Sequence, residues 1–247
     1  MEKINRHFIL EQYRSSLSSY THLTTELGLW ASERYVFQKY LTTTDHILDL
    51  GCGTGRTTFG LYKLGFHNIL GVDLTPEMIA SAQQLTHHFQ SNIPFEVGDA
   101  TQLRFPDEQY HAALFSFNGL MSIPSLAQRL KAFEDIYRVL RPGGHFIFTS
   151  HDRAKEASFL PFWKEEEIRW REGKQDPRLF EFGDLITISK NEQRTIFIHI
   201  PNQEEVKSCL QQTGFELVET FYRSERFDES DQVKASSGEC RFWIAKK

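Results

Sequence analysis

Ile47-Leu48-Asp49-Leu50-Gly51-Cys52-Gly53-Thr54-Gly55-Arg56 sets three apolar residues and one acid ahead of a glycine-spaced turn. The apolar run predicts a short buried strand, and Thr57 to about Lys63 predicts the helix that follows. Glycine has no Cβ, so alternate glycines let the backbone bend sharply and lie directly against a ligand. A turn of this kind leaving a parallel strand is where open α/β sheets bind adenosine-containing cofactors. A dinucleotide fingerprint spaces its glycines G-x-G-x-x-G, and the third glycine lets helix and strand pack tightly. Here the spacing is G-x-G-x-G, with Arg56 standing where that third glycine would be. A long cationic side chain suits that contact poorly. The expected ligand is therefore smaller than a dinucleotide and has no pyrophosphate.

Segments downstream continue the alternation of strand and helix. Asn68 to Asp73 reads as a second strand ending in an acid. Its carboxylate can only accept hydrogen bonds, which suits two vicinal ribose hydroxyls. Leu74 and Met78 follow, and Thr75-Pro76 opens a helix reaching about Phe89. Pro94 to Gly98 is a third strand closed by Asp99 and Ala100; Tyr110 to Phe117 is a fourth and Gly144 to Ser150 a fifth. Between the last two, Leu126, Leu130, Phe133, Tyr137 and Leu140 recur at helical spacing until Arg141-Pro142-Gly143-Gly144 stops them. Taken singly, the glycines could be plain turn residues, the acids solvated strand ends or helix caps, and Met78 a core filler. Their conjunction around one turn is what points to a ligand site.

Over residues 47–150 this order resembles the class I S-adenosylmethionine-dependent methyltransferases, whose first motif is a hydrophobic strand, an acid, one residue, then G-x-G-x-G. The Leu-Arg-Pro-Gly-Gly run is similar to the turn before the family's fifth strand. The resemblance implies a three-layer α/β/α sandwich on a Rossmann-like, mostly parallel seven-stranded sheet, ordered 3-2-1-4-5-7-6 with the seventh strand antiparallel. It implies S-adenosyl-L-methionine as cofactor, held by Asp49, Gly51, Cys52, Gly53, Gly55, Asp73, Leu74, Met78, Asp99, Ala100 and Ser116. Asp99 would receive the adenine amino group, and Arg56 would reach the carboxylate of the methionine part. Cys52 needs only to be small and has no expected chemistry.

One domain spans 1–247, divided into a helical cap (1–45), a cofactor core (46–152), a lid insertion (153–201) and a closing α-β-β unit (202–247). The aromatic-rich cap offers Tyr13, Tyr20 and Trp30 as walls facing a sulfonium, whose charge favours aromatic neighbours. In the insertion, Phe159, Phe162, Trp163 and Trp170 share one helical face. Runs at 185–188 and 195–200 then bracket Lys190 to Gln193 as a hairpin. Trp163 is thus a candidate substrate contact, with a homodimer contact through the insertion as the competing use. Polar, Ser-rich residues 223–239 are expected to form a long loop.

Strand four ends Phe117-Asn118-Gly119 and strand five ends Ser150-His151-Asp152. The first departs from the Asp/Asn/Ser-Pro-Pro-aromatic pattern of amino-methylating nucleic-acid enzymes. The Pro-Cys nucleophile of cytosine C5 enzymes is missing, as is the acid of metal-dependent catechol-type enzymes. A small oxygen or nitrogen acceptor, no metal and no nucleic acid are the expectation, with Asn118 orienting the acceptor and His151 as its base. Beside this stand a non-catalytic binder of S-adenosylmethionine or S-adenosylhomocysteine, a nicotinamide-dependent reductase, and a methyltransferase acting on a macromolecule.

Composition agrees. The chain has 247 residues, 40% hydrophobic and 25% charged, with a net charge of −5 and no basic cluster to neutralise phosphates. Three scattered cysteines, the lack of an apolar leader and the lack of a membrane-length apolar run lead to a cytoplasmic expectation.

Overall fold

Four consecutive buried residues, Ile47–Leu50, form β1 at the centre of the sheet, as expected for a strand covered on both faces. A computed structural model describes residues 2–155, 159–188 and 195–247. β1 pairs in parallel with β2 (Ile69–Asp73) and with β4 (Tyr110–Phe115). β3 (Phe95–Val97) extends one side, and β5 (Leu140–Ser150) the other. β9 (Arg241–Lys246) runs antiparallel between β5 and β8 (Glu216–Tyr222), giving the order β3-β2-β1-β4-β5-β9-β8. Counted within this sheet alone, that is the expected 3-2-1-4-5-7-6. β6 (Asp184–Ile188) and β7 (Thr195–His199) form a separate antiparallel pair, and their expected turn at 190–193 lies outside the described residues.

Strand periodicity divides the core. Leu48, Ala113, Phe146 and Trp243 face α6 (Leu126–Val139) and α8 (Gln203–Gln212). Ile47, Leu114, Ile147 and Phe242 face α3 (Ala31–Tyr40) and α4 (Arg56–Lys63) on the opposite side. α5 (Pro76–His88) packs Ile79 and Ala82 against Phe59 and Phe95. β1 therefore sits where the strand order reverses, with neighbours running on in both directions, which opens a crevice above its carboxyl end.

Two local expectations need correction. Arg141 to Gly144 belong to β5: the Gly143 amide donates to the Lys247 carbonyl at 2.8 Å and the Lys247 amide to the Gly144 carbonyl at 3.0 Å, while the register against β4 shifts between Tyr110 and Ala112. Residues 223–239 are not one loop. α9 (Arg223–Arg226) and α10 (Asp231–Ser236) flank Glu229, which is 5% exposed. Its carboxylate accepts from the Ala31 amide at 3.0 Å, the Ser32 amide at 2.8 Å and the Ser32 hydroxyl at 2.5 Å. An acid at the amino end of α3 satisfies orphan N–H groups and opposes the helix dipole.

The cap consists of α1 (Arg6–Arg14), α2 (Leu17–His22), a π-turn over Leu23–Leu27, and α3. It is tied to the β6–β7 hairpin by Gln12, whose Oε1 accepts from the Phe197 amide at 2.8 Å while its Nε2 donates to the same residue's carbonyl at 3.3 Å. The side chain thus completes the edge of β7 as a neighbouring strand would. Around it pack Ile4, Ile9, Leu179 and Phe197. Gln12→Ala is expected to speed hydrogen exchange at the Phe197 amide about tenfold, in line with roughly 1–2 kcal/mol for two buried hydrogen bonds. Unchanged exchange would mean the clasp carries no load.

Candidate active site

The crevice above β1 encloses about 430 Å³. Its floor is Gly51, Gly53, Asp73 and Ser116, its far wall Asp99 and Ala100, and its roof Ile9, Tyr13, Tyr20 and Phe180. Gly51 has φ +58°, and a Cβ there would lie 2.4 Å from the Phe115 ring. Gly53 has φ +56°, and a Cβ there would make only an ordinary 3.6 Å contact with the Tyr20 ring, so backbone conformation is what requires glycine there. The Gly53 amide donates to Asp73 Oδ2 at 2.9 Å, and the Thr75 amide to Oδ1 at 2.8 Å. Each carboxylate oxygen keeps a lone pair for a further donor. Burial pushes the Asp73 carboxyl up, against the opposing pull of these amides.

Asp99 accepts from the Thr101 amide at 2.9 Å and its hydroxyl at 2.7 Å, with Arg6 Nε 3.8 Å from the other oxygen. Leu74 also lines the crevice. Gly55, Met78 and Cys52 do not. Gly55 starts α4 at φ +93° beneath the Phe59 and Phe95 rings, and Met78 is 1% exposed in the core. Cys52 packs with Phe59 and Phe95, and burial raises its thiol well above the ordinary range, which leaves it unreactive.

Arg56 points inward rather than into the crevice. Its Nη1 donates to the Gly28 carbonyl at 2.8 Å and to Glu33 Oε2 at 2.7 Å, and its Nη2 to Glu33 Oε1 at 2.6 Å. The guanidinium lies over the Trp30 and Phe117 rings. Trp30 is 1% exposed, with Arg223 also lying over its ring, and it lines neither this crevice nor the cavity beside it. Trp163, on α7 (Leu160–Arg171), is likewise buried, against Phe162 and Phe182, and reaches neither space.

Asp49 lies beneath the turn with Oδ2 accepting from Thr58 Oγ1 at 2.5 Å. Burial raises its carboxyl to about 7, against the Thr58 hydrogen bond and the Arg56 charge. A raised carboxyl contributes stability that is complete below its ordinary pKa and is lost as pH rises through about 7. Asp49→Asn removes that loss. Urea midpoints at pH 5 and pH 8 should show the variant gaining on the parent as pH rises, and a constant difference would refute the shift.

Beside the crevice lies a second cavity of about 190 Å³. Asn118 and His151 line it together with Ser16, Ile196, Ile198 and Ser237, drawn from the cap, the ends of β4 and β5, the hairpin and the α10 region. It shares Tyr13, Tyr20, Phe117 and Ser122 with the crevice. The Tyr13 hydroxyl and Ser122 Oγ are 2.6 Å apart. Phe117 and Asn118 take φ of +54° and +61°, two successive left-handed non-glycine residues. The Asn118 amide donates to Thr149 Oγ1 at 2.9 Å, which fixes that bend. No sequence pattern announced Ser16, Ile196 or Ser237, because the segments meet only in the fold.

A glycine turn at the sheet's switch point, an acid closing the second strand, and an antiparallel final strand define an α/β fold of the methyltransferase type. Residues 47–144 match the family described as methyltransferase domain. A demethylmenaquinone methyltransferase of Lactiplantibacillus plantarum is 30% identical over 73% of this chain and 74% of its own. The ubiquinone/menaquinone biosynthesis C-methyltransferase UbiE of Rickettsia akari is 28% identical over 77% and 75%. A crystal structure of an S-adenosylmethionine-dependent methyltransferase from Methanosarcina mazei superposes with a TM-score of 0.68 at 22% identity, covering 90% of this chain and 99% of that one. The chain belongs to the class I S-adenosylmethionine-dependent methyltransferases and is an enzyme of that family. Among the described residues, no helix is long and apolar enough to cross a membrane.

Proposed function

We propose that the crevice binds S-adenosylmethionine and the adjoining cavity receives a small-molecule acceptor, the methyl group passing across the wall they share. The observation that carries this reading is that wall: Tyr13, Tyr20, Phe117 and Ser122 border both spaces. The crevice suits the donor. Asp73 offers two lone pairs to vicinal hydroxyls, Asp99 and Ala100 stand where an adenine edge would lie, and the tyrosine rings suit a sulfonium.

S-adenosylmethionine supplies an electrophilic methyl: an acceptor electron pair forms the bond to carbon, and the broken S–C pair stays on sulfur, giving S-adenosylhomocysteine. The chain's own task is alignment and exclusion of water, and such positioning can supply roughly 7–11 kcal/mol. The cap covers both spaces through Tyr13 and Tyr20, and the hairpin adds Ile196 and Ile198 to the second, so together they limit the access of bulk water to the shared wall. The curated relatives carry quinone-biosynthesis names, and from them only the class, a small molecule with a nucleophilic atom, is transferred here.

Incubation of the enzyme with S-adenosylmethionine and metabolite extracts should yield S-adenosylhomocysteine and a product heavier by one CH₂. Tight donor binding with no turnover on any extract would favour a non-catalytic binder. Modification confined to protein or nucleic-acid fractions would favour a macromolecular acceptor.

A further inference from the structure

Resting on the assignment of the second cavity to the acceptor, we propose that the Glu239 carbonyl, His151 and Asn118 form a relay. The relay fixes which end of the Asn118 amide meets the acceptor, and so selects a molecule presenting an O–H or N–H donor. His151 is then a positioning residue acting through Asn118, not the base that the sequence suggested.

The argument starts at the Glu239 carbonyl, 2.7 Å from His151 Nδ1. A carbonyl oxygen only accepts, so Nδ1 carries the hydrogen, and in the neutral ring Nε2 carries the lone pair. Asn118 Nδ2 lies 3.3 Å from Nε2 and is the donor to it. The amide is planar, so its Oδ1 is turned away from the histidine. That oxygen is buried and has no hydrogen-bond partner among the described residues. Leaving a buried amide oxygen unpaired is costly, and a ligand donor would remove that cost. The paired left-handed backbone at Phe117 and Asn118 adds strain where this amide is presented, a form of strain that concentrates at functional sites.

The rest of the cavity is less selective. Ser16 Oγ donates to the Gln12 carbonyl at 2.6 Å, Ser237 Oγ to the Gly238 carbonyl at 3.1 Å, and Ser122 Oγ pairs with the Tyr13 hydroxyl, so these serines already have partners within the protein. The Tyr13, Tyr20 and Phe117 rings with Ile196 and Ile198 offer flat apolar walls. A space of about 190 Å³ fits a compact ring. The class of ligand is therefore a hydroxylated or N–H-bearing ring held at one point by Asn118 Oδ1.

Two measurements test this. Nitrogen NMR of the protein at a pH above the ordinary imidazole range, with no acceptor present, reads the His151 tautomer. The Nδ1–H form is expected, and the Nε2–H form would overturn the relay. Separately, a panel of substituted phenols, each paired with its methyl ether, is titrated into protein saturated with S-adenosylhomocysteine. At least one phenol should bind about tenfold more tightly than its ether. That preference should vanish in Asn118→Ala and in His151→Asn, which keeps only the Glu239 contact. It should survive in His151→Gln, whose amide oxygen can take the place of Nε2. Equal affinity within every pair, or a preference that survives Asn118→Ala, would overturn the proposal. Failure of S-adenosylhomocysteine itself to bind would refute the donor assignment and leave the tautomer result standing.

Discussion

Asp73→Ala is expected to weaken S-adenosylhomocysteine binding roughly a hundredfold, about 3 kcal/mol, while the protein stays folded. Two oxygens already hold the Gly53 and Thr75 amides, and their remaining lone pairs are what two ribose hydroxyls would use. Charge-assisted hydrogen bonds of this kind are worth about 1.5–3 kcal/mol each. Asp73→Asn should be nearly as damaging, which separates this reading from one based on size. An amide must turn its NH₂ toward either the Gly53 or the Thr75 N–H, setting donor against donor. Calorimetry on both variants, with circular dichroism as the control for folding, decides the matter. An affinity within twofold of the parent would remove Asp73 from the donor site.

The second large effect concerns stability. Arg56 and Glu33 form a two-point ion pair with side chains 8% and 1% exposed. Glu33 Oε2 also accepts from the Trp30 amide at 3.0 Å, so it caps α3 at the same time. Removing one partner of a buried pair leaves the other charge without compensation, at a cost of about 3–5 kcal/mol. Glu33→Ala should therefore lower the urea midpoint sharply. Glu33→Met combined with Arg56→Met removes both charges and fills the space between the Trp30 and Phe117 rings. The double variant should be more stable than either single one. If instead the two losses simply added, the pair would not be acting as a unit.

Arg56 also marks the limit of what the chain alone reveals. Its replacement of the third glycine spoke against a dinucleotide turn through local spacing alone. Its partner is Glu33, in the cap, and no spacing rule connects a leader helix to a glycine turn. The strand order and the places of Gly51, Gly53, Asp73, Leu74, Asp99, Ala100 and Ser116 were legible for the same local reason: each sits at a strand end that its own neighbours define. Trp30, Met78 and Trp163 lie in the core and line neither space, a placement the chain alone could not give because bulk and apolarity announce burial without saying against what. The segment at 223–239 looked like a loop because its order comes from Glu229 reaching a helix nearly two hundred residues away in sequence, a contact its own composition does not encode. Asn118 and His151 were visible as strand-end polar residues, yet the relay between them depends on a main-chain oxygen, and any residue type has one.

The Gln12 clasp has a kinetic consequence. The helix roofing one chamber and the ribbon walling the other are joined by that side chain and by the Ile4, Ile9 and Phe197 packing around it, so they behave as one jaw. With the two spaces holding donor and acceptor as proposed, spent nucleoside and alkylated product would leave past the same jaw, and turnover at saturation would be paced by how often it parts.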